Sequence, residues 1–373
     1  MKKINRRDFL KTTAMAAATV AASPLLASEE NQQDYKAIVC VLLEGGADTL
    51  SMVVPKYMID AHSKHQESKG EVTPNKEDLR ILAGSRYGFH PEMSKMQYMF
   101  NYRELAVVAN VGTLIHPVTK KEIETTKKSV ELPKGLFSQV AQRESWMMAG
   151  NSDKGWAAKV SDLLSVEHTN VSVGGFNKMQ HGSDYEAMMA FDDAQSKSLE
   201  EQLDKVATLI ASREKMNLPK RQIFFVRDLG WDTNHQEMDL LKSNDKKKIA
   251  QLDKAMDQFS KQLKKLKLEN SVTTFTTFDI GRVTTVDNHG LNHGWGGHAF
   301  VMGGAVKAGI HGTMPKIELN SEDMLPNTAL IPTISSDQYL ATMVDWLCDG
   351  KVNLDEIFPN LKNFEHKTLN FMA

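Results

Sequence analysis

Three histidines and four glycines fall within the eleven residues 288–298, which read NHGLNHGWGGH. Glycines let a backbone turn sharply and approach a ligand closely, and histidines on such a loop can converge on a metal ion or an anion. The segment follows a β-rich run at 271–278, which predicts that it lies at the carboxyl end of a strand, where open α/β sheets bind ligands. The alternative is a glycine-rich surface loop with solvated histidines.

Carboxylates, imidazoles and a hydroxyl also follow the predicted strands. Asp48 comes after the first strand, and Asp232 with His235 comes after the fourth. Ser138 lies between the second strand and the next helix. Such groups on one sheet edge can bind a divalent metal ion, with zinc, calcium and magnesium as candidates, and a hydroxyl beside that ion can act as a nucleophile. Each also has an ordinary structural interpretation, since Asp48 and Ser138 can cap helices and His235 can be a solvated helix residue.

The elements that must position these side chains alternate between strand and helix. Apolar runs of strand length are at 35–43, 105–112, 170–175, 223–226 and 271–278, and helical patterns are at 91–102, 155–164 and 336–347. Alternating elements with continuous apolar strands predict an α/β fold, with a mainly parallel central sheet and helices on both faces.

One domain is expected over residues 35–373, with long helical insertions around 192–217 and 236–269. Leucine, isoleucine and valine recur at helical spacing in both insertions, which favours docking on their own domain over an intermolecular coiled coil. The polar, lysine-rich stretches 61–78 and 117–134 are expected to be surface excursions, with lids over the sheet edge as one interpretation.

The amino terminus indicates export. Paired Arg6 and Arg7 precede Phe9, and a mildly apolar run leads to Ala27. This order is typical of a twin-arginine signal peptide, here residues 1–27, which hands the folded chain to the Tat export machinery for the periplasm or the cell exterior. An uncleaved amino-terminal anchor is the alternative, and no other segment approaches membrane-spanning length.

Charge and cysteine content narrow the class of protein. The net charge of the 373 residues is −2, and the first 27 carry five basic residues against one acid, which leaves the remainder at about −6. An acidic balance argues against a nucleic-acid partner. The two cysteines, Cys40 and Cys348, exclude a scaffold built on disulfides.

Several motifs resemble a known family. LEGGADTLSMVVP at 43–55, FHPEM at 89–93, LAVV at 105–108, LFS at 136–138, GWDT at 230–233, GR at 281–282, HGWGGH at 293–298 and MGGAVK at 302–307 are similar to the exported bacterial proteins of unknown function grouped as DUF1501. Those proteins are similar in fold to alkaline phosphatases and sulfatases. The resemblance implies five metal-side positions and a nucleophile region; the metal-side positions are Asp48, Asp232, His235, His293, and His298 or His311, and the nucleophile is Ser138.

Three positions depart from the pattern that the resemblance implies. Gln139 and Asn234 stand where the family usually has histidine, and Asn292 stands where it usually has aspartate. An amide lacks the charge of a carboxylate and the donor strength of an imidazole. The departures indicate a metal site that is altered or empty.

Two functions from different classes follow, and the sequence leaves open whether the protein is an enzyme. The first is a metal-dependent hydrolase of phosphate or sulfate esters, with Ser138 or a metal-bound water attacking and Arg282 steadying the anion. The second is a non-catalytic protein that uses the same fold for binding or assembly in the cell envelope, with or without a co-exported partner.

Overall fold

The computed structural model describes residues 34–125, 130–150, 152–191, 193–232, 238–287 and 290–373, and side chains in the helix that begins at Met238 are described from residue 242. The strands are β1 Lys36–Glu44, β2 Val53–Pro55, β3 Arg80–Ile81, β4 Tyr87–Phe89, β5 Leu105–Gly112, β6 Asn170–Ser172, β7 Met188–Met189, β8 Arg221–Leu229, β9 Val272–Phe278, β10 Gly297–Met302, β11 Gly309–His311 and β12 Ile334–Ser335. The α-helices are α1 Ile59–Lys69, α2 Ser94–Asn101, α3 Lys120–Thr125, α4 Gln139–Met148, α5 Trp156–Leu164, α6 Leu199–Ala211, α7 Met238–Lys265, α8 Ser336–Leu347 and α9 Leu354–Ile357.

Nine strands form the central sheet in the order β11-β5-β10-β9-β1-β8-β6-β7, with β12 also pairing with β5. β1 lies in the middle and pairs in parallel with β8 and β9. β10 pairs antiparallel with both its neighbours, β5 and β9. A small antiparallel sheet, β2-β4-β3, lies apart from it.

Alternate residues of β1 contribute to two separate cores. Val39 and Val41 belong to the core that includes Leu203 of α6 and Phe259 of α7. Ile38, Cys40 and Leu42 belong to the other core, which also includes side chains of α5 and α8. Because successive strand residues point to opposite faces, helices must cover both faces of the sheet. The predicted α/β class, with a mainly parallel sheet between helices, is confirmed.

The two long helices form within the predicted ranges as α6 and α7. The apolar positions of α6, among them Leu203 and Ile210, are buried. Ser198 and Glu201 complete a capping box at its first turn, which satisfies backbone N–H groups that have no partner within the helix. Burial of the apolar stripe agrees with the expectation that this helix docks on its own chain.

Two local predictions were wrong. His298 lies on strand β10, not on a loop with His293, because the run from Gly297 to Met302 pairs with β5 and β9. The stretch 61–78 is not wholly a surface excursion, since α1 buries His65 and Lys69 completely.

Within the described part of the chain, no helix is both long and apolar enough to cross a membrane. Cys40 and Cys348 are buried free thiols.

Candidate functional site

A tight turn after β1 brings three segments together. Gly45 and Gly46 have φ angles of 122° and 86°, a region that L-residues with side chains rarely adopt. A Cβ atom on Gly45 would lie 2.5 Å from the backbone nitrogen of Asp232, and one on Gly46 would lie 2.7 Å from the side chain of Ile280. The glycines therefore let the ends of β1, β8 and β9 approach each other, and the chain continues from this turn to Asp48.

The Arg282 side chain links the segments that meet at this turn. Its guanidinium is buried and donates to the carbonyl oxygens of Gly46 at 2.6 Å and Leu291 at 2.9 Å, and to the carboxylate of Asp232 at 2.8 Å. It also donates to the carbonyl oxygen of Gly45. These acceptors all belong to the protein, so the guanidinium ties loops together in this structure.

Asp48 forms a buried ion pair. The Lys69 ammonium, at the end of α1, lies 2.9 Å from its carboxylate, and the Ser51 hydroxyl donates to it at 2.5 Å. Lys69 is 0% exposed and Asp48 is 3% exposed. A charge buried to this degree requires a partner of opposite sign. Here Lys69 supplies the positive charge that a metal ion would otherwise bring to Asp48.

Two further titratable groups face this pair. Burial and the negative charge of Asp48 raise the pKa of Asp245, on α7, to about 7, against the opposing attraction of Lys69 and Arg282. Burial lowers the pKa of His90 to about 4. Near neutral pH the surroundings of the pair therefore hold a neutral imidazole and a carboxyl group in mid-titration.

His298 and His65 lie buried on the same side of the molecule as this pair. The Nδ1 atom of His298 accepts a hydrogen bond from the backbone N–H of Asn110 at 3.2 Å. Burial lowers the pKa of His298 to about 4, and it lowers that of His65 well below its usual value, with the Lys69 charge adding to the effect. Both rings are therefore neutral at pH 7.

Ser138 lies at the start of α4, and His293 contacts the backbone just before it. Ser138 is the exposed N-cap of this helix, and its Oγ accepts from the backbone N–H of Ala141 at 3.4 Å. The Nδ1 atom of His293 lies 3.0 Å from the carbonyl oxygen of Phe137. The structural role that the sequence allows for Ser138, helix capping, is present.

Asp279 is a buried acid at the same edge that the sequence reasoning missed. Its carboxylate accepts from the backbone N–H of Gly45 at 3.1 Å and from the Gln139 side chain at 2.6 Å. Burial raises its pKa. Asp279 directly follows β9, just as Asp48 follows the turn after β1. Its position after a predicted strand could have identified it from the sequence. The four-residue spacing of His65 and Lys69, which places both on one face of a helix, could also have indicated that these two residues lie together.

The structure groups the predicted site residues in three places. Asp232 lies with Arg282, Ser138 lies with His293, and Asp48 lies with Lys69. His235, with Asn234 beside it, falls outside the described residues. The alternative last histidine, His311, lies on β11, where its Nε2 is 2.6 Å from the carbonyl oxygen of Lys307.

The donor set of the described residues does not fit a divalent ion. Each carboxylate predicted to bind metal already meets a cation of the protein, Asp48 through Lys69 and Asp232 through Arg282. Among the residues that the structure describes, no group of three or more histidine, cysteine, aspartate or glutamate side chains could hold a metal ion. A zinc site needs such a group, and a calcium or magnesium site needs carboxylates that are free to bind the ion.

Family comparison identifies two segments. Residues 183–341 match the family described as "Protein of unknown function (DUF1501)", and residues 3–23 match a twin-arginine translocation signal. Both expected matches are confirmed, and the signal indicates export across the membrane to the periplasm or the cell exterior. No curated protein matches the chain.

Several solved structures are similar in fold. The lipoteichoic acid synthase LtaP from Listeria monocytogenes is 10% identical with a TM-score of 0.42, covering 91% of this chain and 78% of that one. A protein in the alkaline phosphatase superfamily from Vibrio parahaemolyticus is 12% identical with a TM-score of 0.42, covering 92% and 76%. The C-terminal periplasmic domain of EptC from Escherichia coli, in complex with Zn, is 11% identical with a TM-score of 0.38, covering 72% of each.

Proposed function

We propose that this exported chain, with its DUF1501 match and its twin-arginine signal, is a non-catalytic binding protein of the cell envelope. One observation carries the proposal, the buried ion pair between Lys69 and Asp48 at the place where the sequence predicts the first metal carboxylate. In this role the sheet edge is a closed structural junction, and ligands bind elsewhere on the same fold.

Competition between cations supports this choice. A divalent ion at Asp48 would have to displace the Lys69 ammonium, which would then be buried without its nearest counter-charge. Leaving one member of a buried pair unpaired costs about 3–5 kcal/mol. Asp232 also has a cation, because its carboxylate bonds to Arg282 at 2.8 Å, but its side chain is 60% exposed and the cost of separating this pair is smaller. Metal binding would therefore have to offset the loss of two existing ion pairs.

The second candidate function is hydrolysis of phosphate or sulfate esters, and one observation favours it. His293 bonds to the carbonyl oxygen of Phe137, the residue that precedes Ser138, and the Ser138 hydroxyl is exposed. A hydroxyl beside an imidazole is the pairing that activates a serine nucleophile. In that case the Ser138 oxygen bonds to the phosphorus or sulfur atom as the ester's P–O or S–O bond breaks and the alcohol leaves, and His293 takes the hydroxyl proton.

An activity assay separates the two functions. The exported protein is incubated with 4-nitrophenyl phosphate and 4-nitrophenyl sulfate in the presence of zinc, magnesium or calcium, beside the Ser138→Ala and Asp48→Asn variants. We expect no release of nitrophenol above that of buffer from any of them. Turnover by the parent that disappears in Ser138→Ala, with unchanged circular dichroism, would establish the hydrolase and defeat the binding role.

A further inference from the structure

A cavity of about 400 Å³ opens between α1, the small sheet and the segment 314–318. Most of its wall is apolar; the apolar lining consists of Val53, Pro55, Met58, Ala61, Met314, Pro315 and Ile317, with the ring of Tyr87. This volume lies within the range of about 300–1,000 Å³ typical of small-molecule sites, which combine apolar walls with a few placed polar groups.

The fully buried polar groups that line this cavity are two imidazoles, both 0% exposed. His65 and His298 line the cavity. Among the residues that the structure describes, three ring nitrogens have no hydrogen-bond partner. They are both nitrogens of His65 and the Nε2 atom of His298. A buried polar atom without a partner is destabilising, and such atoms in native proteins call for an explanation. A ligand oxygen in the cavity would supply the missing partner.

The positions of the ring protons determine which ligand atoms can hydrogen-bond to these imidazoles. Since Nδ1 of His298 accepts from the backbone N–H of Asn110, the neutral ring carries its proton on Nε2 and offers a donor. A neutral His65 offers one donor and one acceptor. A hydroxyl group satisfies both kinds of partner, and a carbonyl oxygen satisfies the two donors.

The charged residues that line the cavity are exposed or half-exposed, unlike the buried Asp48–Lys69 pair beside the two imidazoles. Lys64 of α1 forms an ion pair with Glu318 at 2.6 Å, and both side chains are more than 40% exposed. The rim also includes Asp60 and Lys316. A charged ligand group that moved past this rim would lose its hydration against mainly apolar walls, which is costly. The inner cavity therefore selects against ions.

From this arrangement we propose that the cavity binds a small uncharged amphiphile, whose apolar body contacts Met58 and Met314 and whose hydroxyl or carbonyl oxygen bonds to His65 and His298. The inference deepens the binding role proposed above and rests on it. It assigns that role to a cavity outside the sheet-edge cluster of Ser138 and His293.

Matched probes test the proposal. The full exported protein is titrated by calorimetry with 4-propylphenol, 1-octanol and octanoate. We expect saturable binding of the phenol and the alcohol, and affinity for octanoate that is at least about tenfold weaker, equivalent to about 1.4 kcal/mol.

Three variants in the cavity and one control variant outside it connect binding to this cavity. Met314→Trp fills it from the half-buried segment and should abolish binding of both uncharged probes, whereas Met189→Trp, at a half-buried methionine on β7, should leave binding unchanged. His298→Asn keeps an acceptor for the Asn110 N–H and removes the Nε2 donor, so it should weaken 4-propylphenol binding about tenfold. Ala61→Met provides a second filled cavity if Met314→Trp does not fold.

Three outcomes would overturn the inference. They are no binding of either uncharged probe by the folded parent, equal binding by the parent and a folded cavity-filled variant, or stoichiometric zinc binding that is lost in His298→Asn. The last would assign the imidazoles to a metal. Ester turnover by Ser138, in contrast, would defeat the proposed function and leave a positive binding result in place.

Discussion

Asp48 lies just after the central strand, where an α/β sheet presents carboxylates to ligands, yet its oxygens meet the Lys69 ammonium and the Ser51 hydroxyl. Its position was predictable because Asp48 follows a long apolar run and a Gly-Gly turn. Its partner was not predictable, because Lys69 belongs to a polar stretch that resembles a solvated surface. Only the packing of α1 against the sheet shows that this lysine is buried.

A double-mutant cycle tests the ion pair. Lys69→Met or Asp48→Asn alone should lower the free energy of unfolding by about 3–5 kcal/mol, because each leaves a buried charge without its partner. The double variant should cost clearly less than the sum of the two single costs. Chemical denaturation provides all four values.

The control for this cycle is the pair between Lys261 and Asp257 on α7, in which the lysine is 64% exposed. Lys261→Met should cost less than about 1 kcal/mol. Additive effects of Lys69→Met and Asp48→Asn would show that the two charges do not depend on each other, against our account.

At the scale of elements, apolar runs predicted the buried strands well. β5 spans the predicted residues, β1 is shifted by one residue at both ends, and β9 begins one residue later than predicted. β10 was missed because two glycines precede its apolar residues and made the segment resemble a loop. β10 lies between two longer strands whose backbone N–H and C=O groups need partners. These partners are distant in the chain, so the local sequence pattern does not reveal the strand.

Helix α6 offers a test of local capping. Ser198 accepts from the backbone N–H of Glu201, whose carboxylate bonds back to Ser198. Ser198→Ala should lower the free energy of unfolding by about 1 kcal/mol. Ser196→Ala, two residues earlier and outside the helix, should change it by less than about 0.5 kcal/mol. Equal effects of the two substitutions in urea denaturation would contradict the capping role.

Helix α8 carries a buried acid with a measurable pH effect. Burial raises the pKa of Asp337 to about 7, although Asn360 donates to its carboxylate at 3.1 Å. A raised folded-state pKa means that the native state binds the proton more tightly. Its contribution to stability is therefore complete below about pH 4 and is lost as pH rises through 7.

Asp337→Asn removes this titration. From pH 5 to pH 8 the stability of the variant relative to the parent should rise by roughly 3 kcal/mol, at 1.36 kcal/mol per unit of pKa shift. The comparison is made at each pH by urea denaturation, so that buried histidines, whose lowered pKa values act in the opposite direction, cancel between the two proteins. A difference that stays constant with pH would show that Asp337 titrates normally.

For the molecule as a whole, the sequence predicted the fold class and the export signal. Site chemistry was harder to predict, because it depends on contacts between residues far apart in the chain. Arg282 and Asp232 are fifty residues apart, and His65 and His298 line one cavity from opposite ends of the sequence. Such partners are chosen by tertiary packing, and the amide departures in the sequence indicated only that the site is altered.

Metal content of the folded, exported protein tests the central claim most directly. The parent, Asp48→Asn and Asp232→Ala are dialysed against zinc, magnesium and calcium and then analysed for bound metal per chain. Because Lys69 and Arg282 already neutralise both carboxylates, we predict far less than one ion per chain in the parent and no difference from the variants. One tightly held ion per chain in the parent, absent from both variants, would contradict the account and place a metal centre at this edge of the sheet.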